Sequence, residues 1–123
     1  MRGIVLFAHG ARDPEWARPF EEIRGRLSAS RPEYPIELAY LDFMRPTLEE
    51  AIGSLAEQGA PAITVFPLFM AQGGHLKQDL PRMLDAIRAT HPRIPIALET
   101  AIGEVPEVLA AVATWILSRV DVD

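Results

Sequence analysis

Four short apolar runs, Gly3–Ala8, Ile36–Leu41, Ile63–Met70 and Ile94–Leu98, place the tightest limit on what this chain can fold into. They are rich in Ile, Val, Leu and Phe and do not alternate cleanly with polar residues. A strand with one wet face alternates, whereas a run that stays apolar suits a strand covered on both faces, as in parallel sheets. Helical patterns lie between the runs. Trp16, Phe20, Ile23 and Leu27 recur at helical steps, and so do Leu48, Ile52 and Leu55. Thr47 and Glu50 have the spacing of a capping box that would start the second helix. Leu80, Met83, Leu84 and Ile87 form a third stripe, and Val105, Val108, Leu109, Val112 and Ile116 a fourth. Pro81 and Pro106 fit first helical turns, where a missing N–H costs nothing.

The resulting order is βαβαβαβα. Parallel strands joined through helices require right-handed crossovers. The expected architecture is an open, mainly parallel four-stranded α/β sheet with helices on both faces, flavodoxin-like, with strand order 2-1-3-4. Residues 1–123 read as one domain, without internal repeat, low-complexity tract or linker. "RPEYP", "EQGAP" and "THPRIP" read as turns feeding the next strand, and the terminal "VDVD" as a frayed end.

Composition narrows the functional classes. With 49% hydrophobic residues the chain can bury a core without disulfides. Seventeen acidic against twelve basic side chains leave a net charge of −5, which argues against a nucleic-acid partner. Cysteine is absent, so thiolate metal sites and cysteine nucleophiles are excluded. "MRGIVLF" reads as a strand rather than a secretory leader. No apolar stretch approaches the ~20 residues that span a bilayer. A soluble cytoplasmic protein with no membrane partner is the expectation.

The chemistry-bearing residues gather at one edge. His9 follows the first strand, Asp42 ends the second, and His75 follows the third behind Gly73 and Gly74. All three fall at the carboxyl ends of strands, where open α/β sheets bind ligands at the point of strand-order reversal. In the expected order that point lies between strands one and three, which carry the two histidines. A single histidine there is more often an ordinary loop residue; two, each beside glycine, point to a shared site. His91 precedes the fourth strand, at the opposite edge, and reads as a surface residue. Gly10, Gly73 and Gly74 let the backbone turn sharply and approach a ligand, and Arg12, Arg45 and Lys77 supply nearby cations. No phosphate-binding glycine motif is present, which leaves a nucleotide site without support. Imidazole with carboxylate suits a divalent transition metal such as Co, Ni, Fe or Zn. So few ligands would leave an open site of the kind chemistry needs.

Three blocks, "LFAHGARDP", "AYLDFMRPTLEEAI" and "VFPLFMAQGGHLKQDLP", resemble in order the CbiX-type sirohydrochlorin chelatases over nearly the whole chain. These are class II chelatases, which insert a divalent metal into a tetrapyrrole without ATP. The resemblance implies a ferrochelatase-like fold, Co²⁺ as the leading metal substrate with Fe²⁺ or Ni²⁺ as alternatives, and no nucleotide. It implies that His9 and His75 hold the incoming metal and help deprotonate the macrocycle. Asp42, where relatives usually carry glutamate, would be a third metal ligand, and Ala11 replaces the serine of the frequent H-G-S-R. Gly10, Arg12, Arg45, Gly73, Gly74 and Lys77 would meet the substrate, with Arg82 a further cation for a polycarboxylate. Trp16 and Phe20 can also touch a flat ring, although a core-facing stripe is the simpler reading.

Short members of the family resemble one lobe that works as a homodimer, and a broad tetrapyrrole needs two walls. "LDFMRP", with Phe43 and Met44, is one stretch where a second chain would meet it; packing of both residues under their own loop is the alternative. Two rival functions remain at this level. "AHGAR" resembles the R-H-G-x-R loop of histidine phosphatases, but Ala8 stands where the phosphate-clamping arginine belongs. A non-catalytic metal or tetrapyrrole carrier would use the same residues.

Overall fold

The structure is a computed structural model that describes residues 1–121; the final two residues of the "VDVD" stretch lie outside it. Its strands are β1 (Gly3–Ala8), β2 (Ile36–Tyr40), β3 (Ile63–Pro67) and β4 (Ile96–Leu98), and its helices α1 (Arg18–Ser30), α2 (Leu48–Glu57), α3 (Gly74–Thr90) and α4 (Pro106–Val120). Short 3-10 helices, Pro14–Ala17 and Ile102–Glu104, precede α1 and α4. All strand pairs are parallel, in the order β2-β1-β3-β4. The four-stranded parallel α/β sheet expected from the apolar runs is therefore present. Strands β3 and β4 are shorter than their apolar runs because Leu68–Met70 already turns away and Ile94 precedes the ladder.

Side chains alternate between the two faces of each strand. One face carries Val5, Phe7, Ala39, Ile63, Val65 and Ile96, which pack with Leu48, Ile52 and Leu55 of α2 and with Leu80, Leu84 and Ile87 of α3. The other carries Leu6, Ala8, Leu38 and Tyr40, covered by Trp16, Ala17, Phe20 and Leu27 around α1. Trp16 and Phe20 thus belong to the core stripe, with ring centroids 4.8 Å apart. Ile23, assigned to the same stripe, is exposed instead; the helix proper starts only at Arg18, which rotates the early residues relative to a continuous helix.

Two proline and helix assignments need correction. Pro106 opens α4 as expected, but Pro81 lies inside α3, seven residues beyond its start. The helix begins at Gly74 because Leu76 and Leu80 continue the apolar stripe toward the N-terminus. Pro81 is exposed, so the carbonyl it leaves without an N–H partner stays near water. The fourth stripe also departs from expectation: no residue of α4 is buried.

Candidate functional site

Strand β1 delivers His9 to the carboxyl edge, and the backbone there is locked to the end of β2. The Leu41 N–H donates to the Ala8 carbonyl and the Asp42 N–H to the His9 carbonyl, each at 2.9 Å. Gly10 makes this closeness sterically feasible. Its φ is +88°, and a Cβ at this position would stand 2.0 Å from the Asp42 carbonyl oxygen. Only glycine meets both demands. The His9 side chain is exposed but rests against Phe69, with ring centroids 4.4 Å apart. Phe69 is itself buried and sits edge-on to Phe7 at 5.5 Å. An aromatic pair at the end of the sheet therefore supports one side of the imidazole and leaves its edge to solvent.

His75 reaches the same edge from β3, the strand hydrogen-bonded to β1. It is exposed and occupies the first turn of α3, behind the N-cap Gly73. His75 is therefore helical and not part of the loop after β3, because α3 starts well before Pro81. That turn contains no acidic residue, and its free N–H groups favour a negative ligand. His91 forms the C-cap of α3 at the opposite end of the helix, away from this edge.

Asp42 is drawn to His9 through its backbone, but among the described residues no three His, Asp or Glu side chains gather into a metal-holding cluster. The cationic candidates divide by partner. Arg45 forms a two-pronged pair with Glu50, whose carboxyl also accepts the Thr47 N–H at 2.9 Å. The hydrogen bonds from Arg45 and then from the Thr47 backbone hold Glu50 down at about 2. The same pairing raises the Arg45 guanidinium above its ordinary value. Lys77 pairs with Glu104 at 3.2 Å. Arg12 instead lies over the ring of Phe43, 4.8 Å from its centroid. Among the described residues neither Arg12 nor Arg82 takes part in an ion pair.

Phe43, singled out in the sequence with Met44, is 64% exposed with a φ of +67°, and Met70, which escaped the sequence reading, is 56% exposed; both are apolar side chains displayed at the edge that carries the histidines. Met44, by contrast, packs against the α1 side of the core. Phe69 looked like one more strand residue, and nothing in its neighbours marks it as the support of His9. A hollow of about 410 Å³ lies between α2 and α3, lined by residues such as Leu41, Leu48, Met83 and Ile87. At the histidine edge both imidazoles are displayed on an exposed surface.

Comparison with known proteins identifies the family and the fold. Residues 3–118 match the CbiX family. A sirohydrochlorin cobaltochelatase from Saccharolobus islandicus is 40% identical over 84 residues, covering 68% of this chain and 64% of the relative. One from Methanopyrus kandleri is 34% identical, covering 68% of this chain and 59% of the relative. The match therefore spans somewhat less than two thirds of these relatives' length. Among solved structures, a CbiX protein from Marinobacter aquaeolei VT8 superposes with a TM-score of 0.82 at 28% identity, over the whole of both chains. The sirohydrochlorin chelatase SirB from Bacillus subtilis subspecies spizizenii, in complex with cobalt, gives a TM-score of 0.77 at 25% identity, covering 95% of this chain and 50% of SirB. With its family match running from the first strand through most of the last helix, the chain belongs to the CbiX family.

Proposed function

We propose that this chain is a metal chelatase that inserts a divalent metal, Co²⁺ first and Fe²⁺ or Ni²⁺ as alternatives, into sirohydrochlorin or a related tetrapyrrole. It does so without a nucleotide, in the cytoplasm. The observation that carries this reading is the presentation of His9 and His75 by adjacent strands on one open edge. Curated relatives named sirohydrochlorin cobaltochelatase and the cobalt complex of SirB favour cobalt and this substrate.

In the proposed reaction the two imidazoles hold the incoming ion, with Asp42 as an auxiliary oxygen ligand. Few protein ligands keep the ion exchangeable, as a metal in transit requires. As the ion forms bonds to the ring nitrogens, two pyrrole N–H bonds break and their protons pass to imidazole and then to water. Imidazole suits both tasks, since it ligates metals and exchanges protons near neutral pH. The apolar surfaces of Phe43 and Met70 face a planar macrocycle, while Arg12 and the first turn of α3, from Gly73 and Gly74 onward, meet its carboxylates. Lys77 and Arg45 serve the substrate only when they loosen from Glu104 and Glu50. Because one lobe supplies a single wall, the working unit is proposed to be a homodimer.

The test is turnover with sirohydrochlorin and Co²⁺, followed by the absorbance change on insertion. His9→Ala and His75→Ala should each abolish insertion and leave the melting temperature within a few degrees, because both side chains are exposed. Asp42→Ala should have a smaller effect that differs between metals. Stoichiometric binding without turnover would instead identify a carrier, and full activity of either histidine variant would reject the assignment.

A further inference from the structure

Nothing in the sequence ties Gly103 to the chemistry, yet the fold sets it against the segment that delivers His75. The 3-10 turn Ile102–Glu104 follows β4 at the carboxyl edge and is fixed to the sheet on its own account. The Glu99 N–H donates to the Val65 carbonyl at 2.9 Å, which extends the ladder, and Ala101 is buried. The turn also closes on itself, with the Glu104 N–H on the Ala101 carbonyl and the Val105 N–H on that of Ile102. A segment anchored in this way can support whatever lies against it.

What lies against it is the stretch from Phe69 to Lys77, gripped at both ends. At the first end the Gly103 N–H donates to the Phe69 carbonyl at 3.0 Å. The two backbones are so close there that a Cβ on Gly103 would fall 1.6 Å from the Met70 carbonyl oxygen and 2.7 Å from the Met70 Cα. The φ of Gly103 is not positive, so the demand for glycine is steric alone. At the second end Lys77 pairs with Glu104 at 3.2 Å. Between the grips, the backbone of Met70, Ala71 and Gln72 makes no hydrogen bond among the described residues.

Phe69 links this support to the other histidine. Its ring lies against that of His9, with centroids 4.4 Å apart, and its carbonyl is the one that Gly103 holds. The same turn therefore bears on His9 through Phe69 and on His75 through the gripped segment. We infer that Gly103 and Glu104 are positioning residues that fix the spacing between the His9 and His75 imidazoles, so that both reach one metal ion. The inference rests on the metal-holding role proposed above for the two histidines. Relief of a 1.6 Å approach moves Met70 by more than about 1 Å, and misplacement on that scale slows a reacting group on the order of 100-fold. Residues that orient metal ligands from behind change metal affinity by about 10–100-fold.

Co²⁺ alone, titrated into the protein without tetrapyrrole, reads the spacing and leaves Lys77 without a substrate to meet. Gly103→Ala should weaken Co²⁺ binding by about 10–100-fold. Glu104→Ala should weaken it only a few fold, because an exposed ion pair contributes little. Gly59→Ala is the control, strained at φ +84° but placed before β3 at the opposite edge; it should melt lower and bind Co²⁺ as the parent does. The decisive quantity is the cost of His75→Ala in each background. In the parent and in Gly59→Ala it should be the full loss of one of two ligands. In Gly103→Ala it should nearly vanish, because imidazoles already displaced no longer share the ion. Equal costs in all three backgrounds overturn the inference, whatever the melting temperatures do. Should Gly103→Ala not fold, Glu104→Ala takes its place, with a partial reduction expected and an equal cost again overturning the inference. If neither His9→Ala nor His75→Ala alters Co²⁺ binding by the parent, the metal-holding reading fails and the inference falls with it. Histidine-dependent binding that is indifferent to Gly103 and Glu104 overturns the inference alone.

Discussion

Replacing Gly10 by alanine probes the backbone contact that sets the position of His9. Two costs can be separated. The first is conformational: at φ +88° an alanine side chain is strained by about 1–2 kcal/mol. The second is steric: the added Cβ would lie 2.0 Å from the Asp42 carbonyl oxygen, far inside van der Waals contact. Relief requires the two loops to part by more than about 1 Å, which strains the Asp42-to-His9 and Leu41-to-Ala8 backbone hydrogen bonds, at about 1 kcal/mol each. The expected total is about 3–4 kcal/mol. Gly59→Ala is the matched control, with φ +84° and nothing within 4 Å of its Cβ. It should lose only the conformational part, a fall of about 4–8 °C in melting temperature for a chain of this size. Gly10→Ala should melt at least twice as far below the parent. It should also slow cobalt insertion by on the order of 100-fold, because an ångström of misplacement in a reacting group has that effect. Thermal melts and the insertion assay on both variants decide the matter. Equal melting losses, with full insertion by Gly10→Ala, would refute the claim that the Gly10–Asp42 contact positions His9.

Phe69→Ala removes a buried ring that touches both Phe7 and His9, so it should cost about 3–5 kcal/mol by denaturant unfolding. Insertion should fall under conditions where the variant is still fully folded, and an unchanged rate would deny Phe69 its supporting role. Glu50, held down at about 2, favours the folded state in full above the ordinary carboxyl value of 4.5. That contribution declines as pH falls from there through about 2. Melts of the parent and Glu50→Gln, which keeps an acceptor for the cap, should differ most at pH 7 and converge on acidification. The gap should be small because the pair is exposed, and a gap that widens toward pH 3 would contradict the sign.

The family, the sheet and the two histidines were legible in the sequence because each depends on local pattern. Apolar runs of strand length report burial on both faces, and helical spacing reports which way a helix must turn. Alternation of the two then leaves few topologies, and strand ends locate His9, Asp42 and His75 at one edge. What the sequence could not state is which partner answers each requirement. The stripe of Leu109, Val112 and Ile116 demanded a cover, but periodicity is blind to whether the cover belongs to the same chain. Pro81 looked like a helix start because the rule for prolines is statistical, and only the packing of Leu76 and Leu80 set the beginning of α3 at Gly74. Arg45 and Lys77 read as free cations until the fold brought Glu50 and Glu104 beside them. Gly10 was visible as a glycine; that it must be one follows from the Asp42 carbonyl lying against it. Contacts between distant segments are decided by how the elements pack in three dimensions, and there the tertiary structure alone has the say.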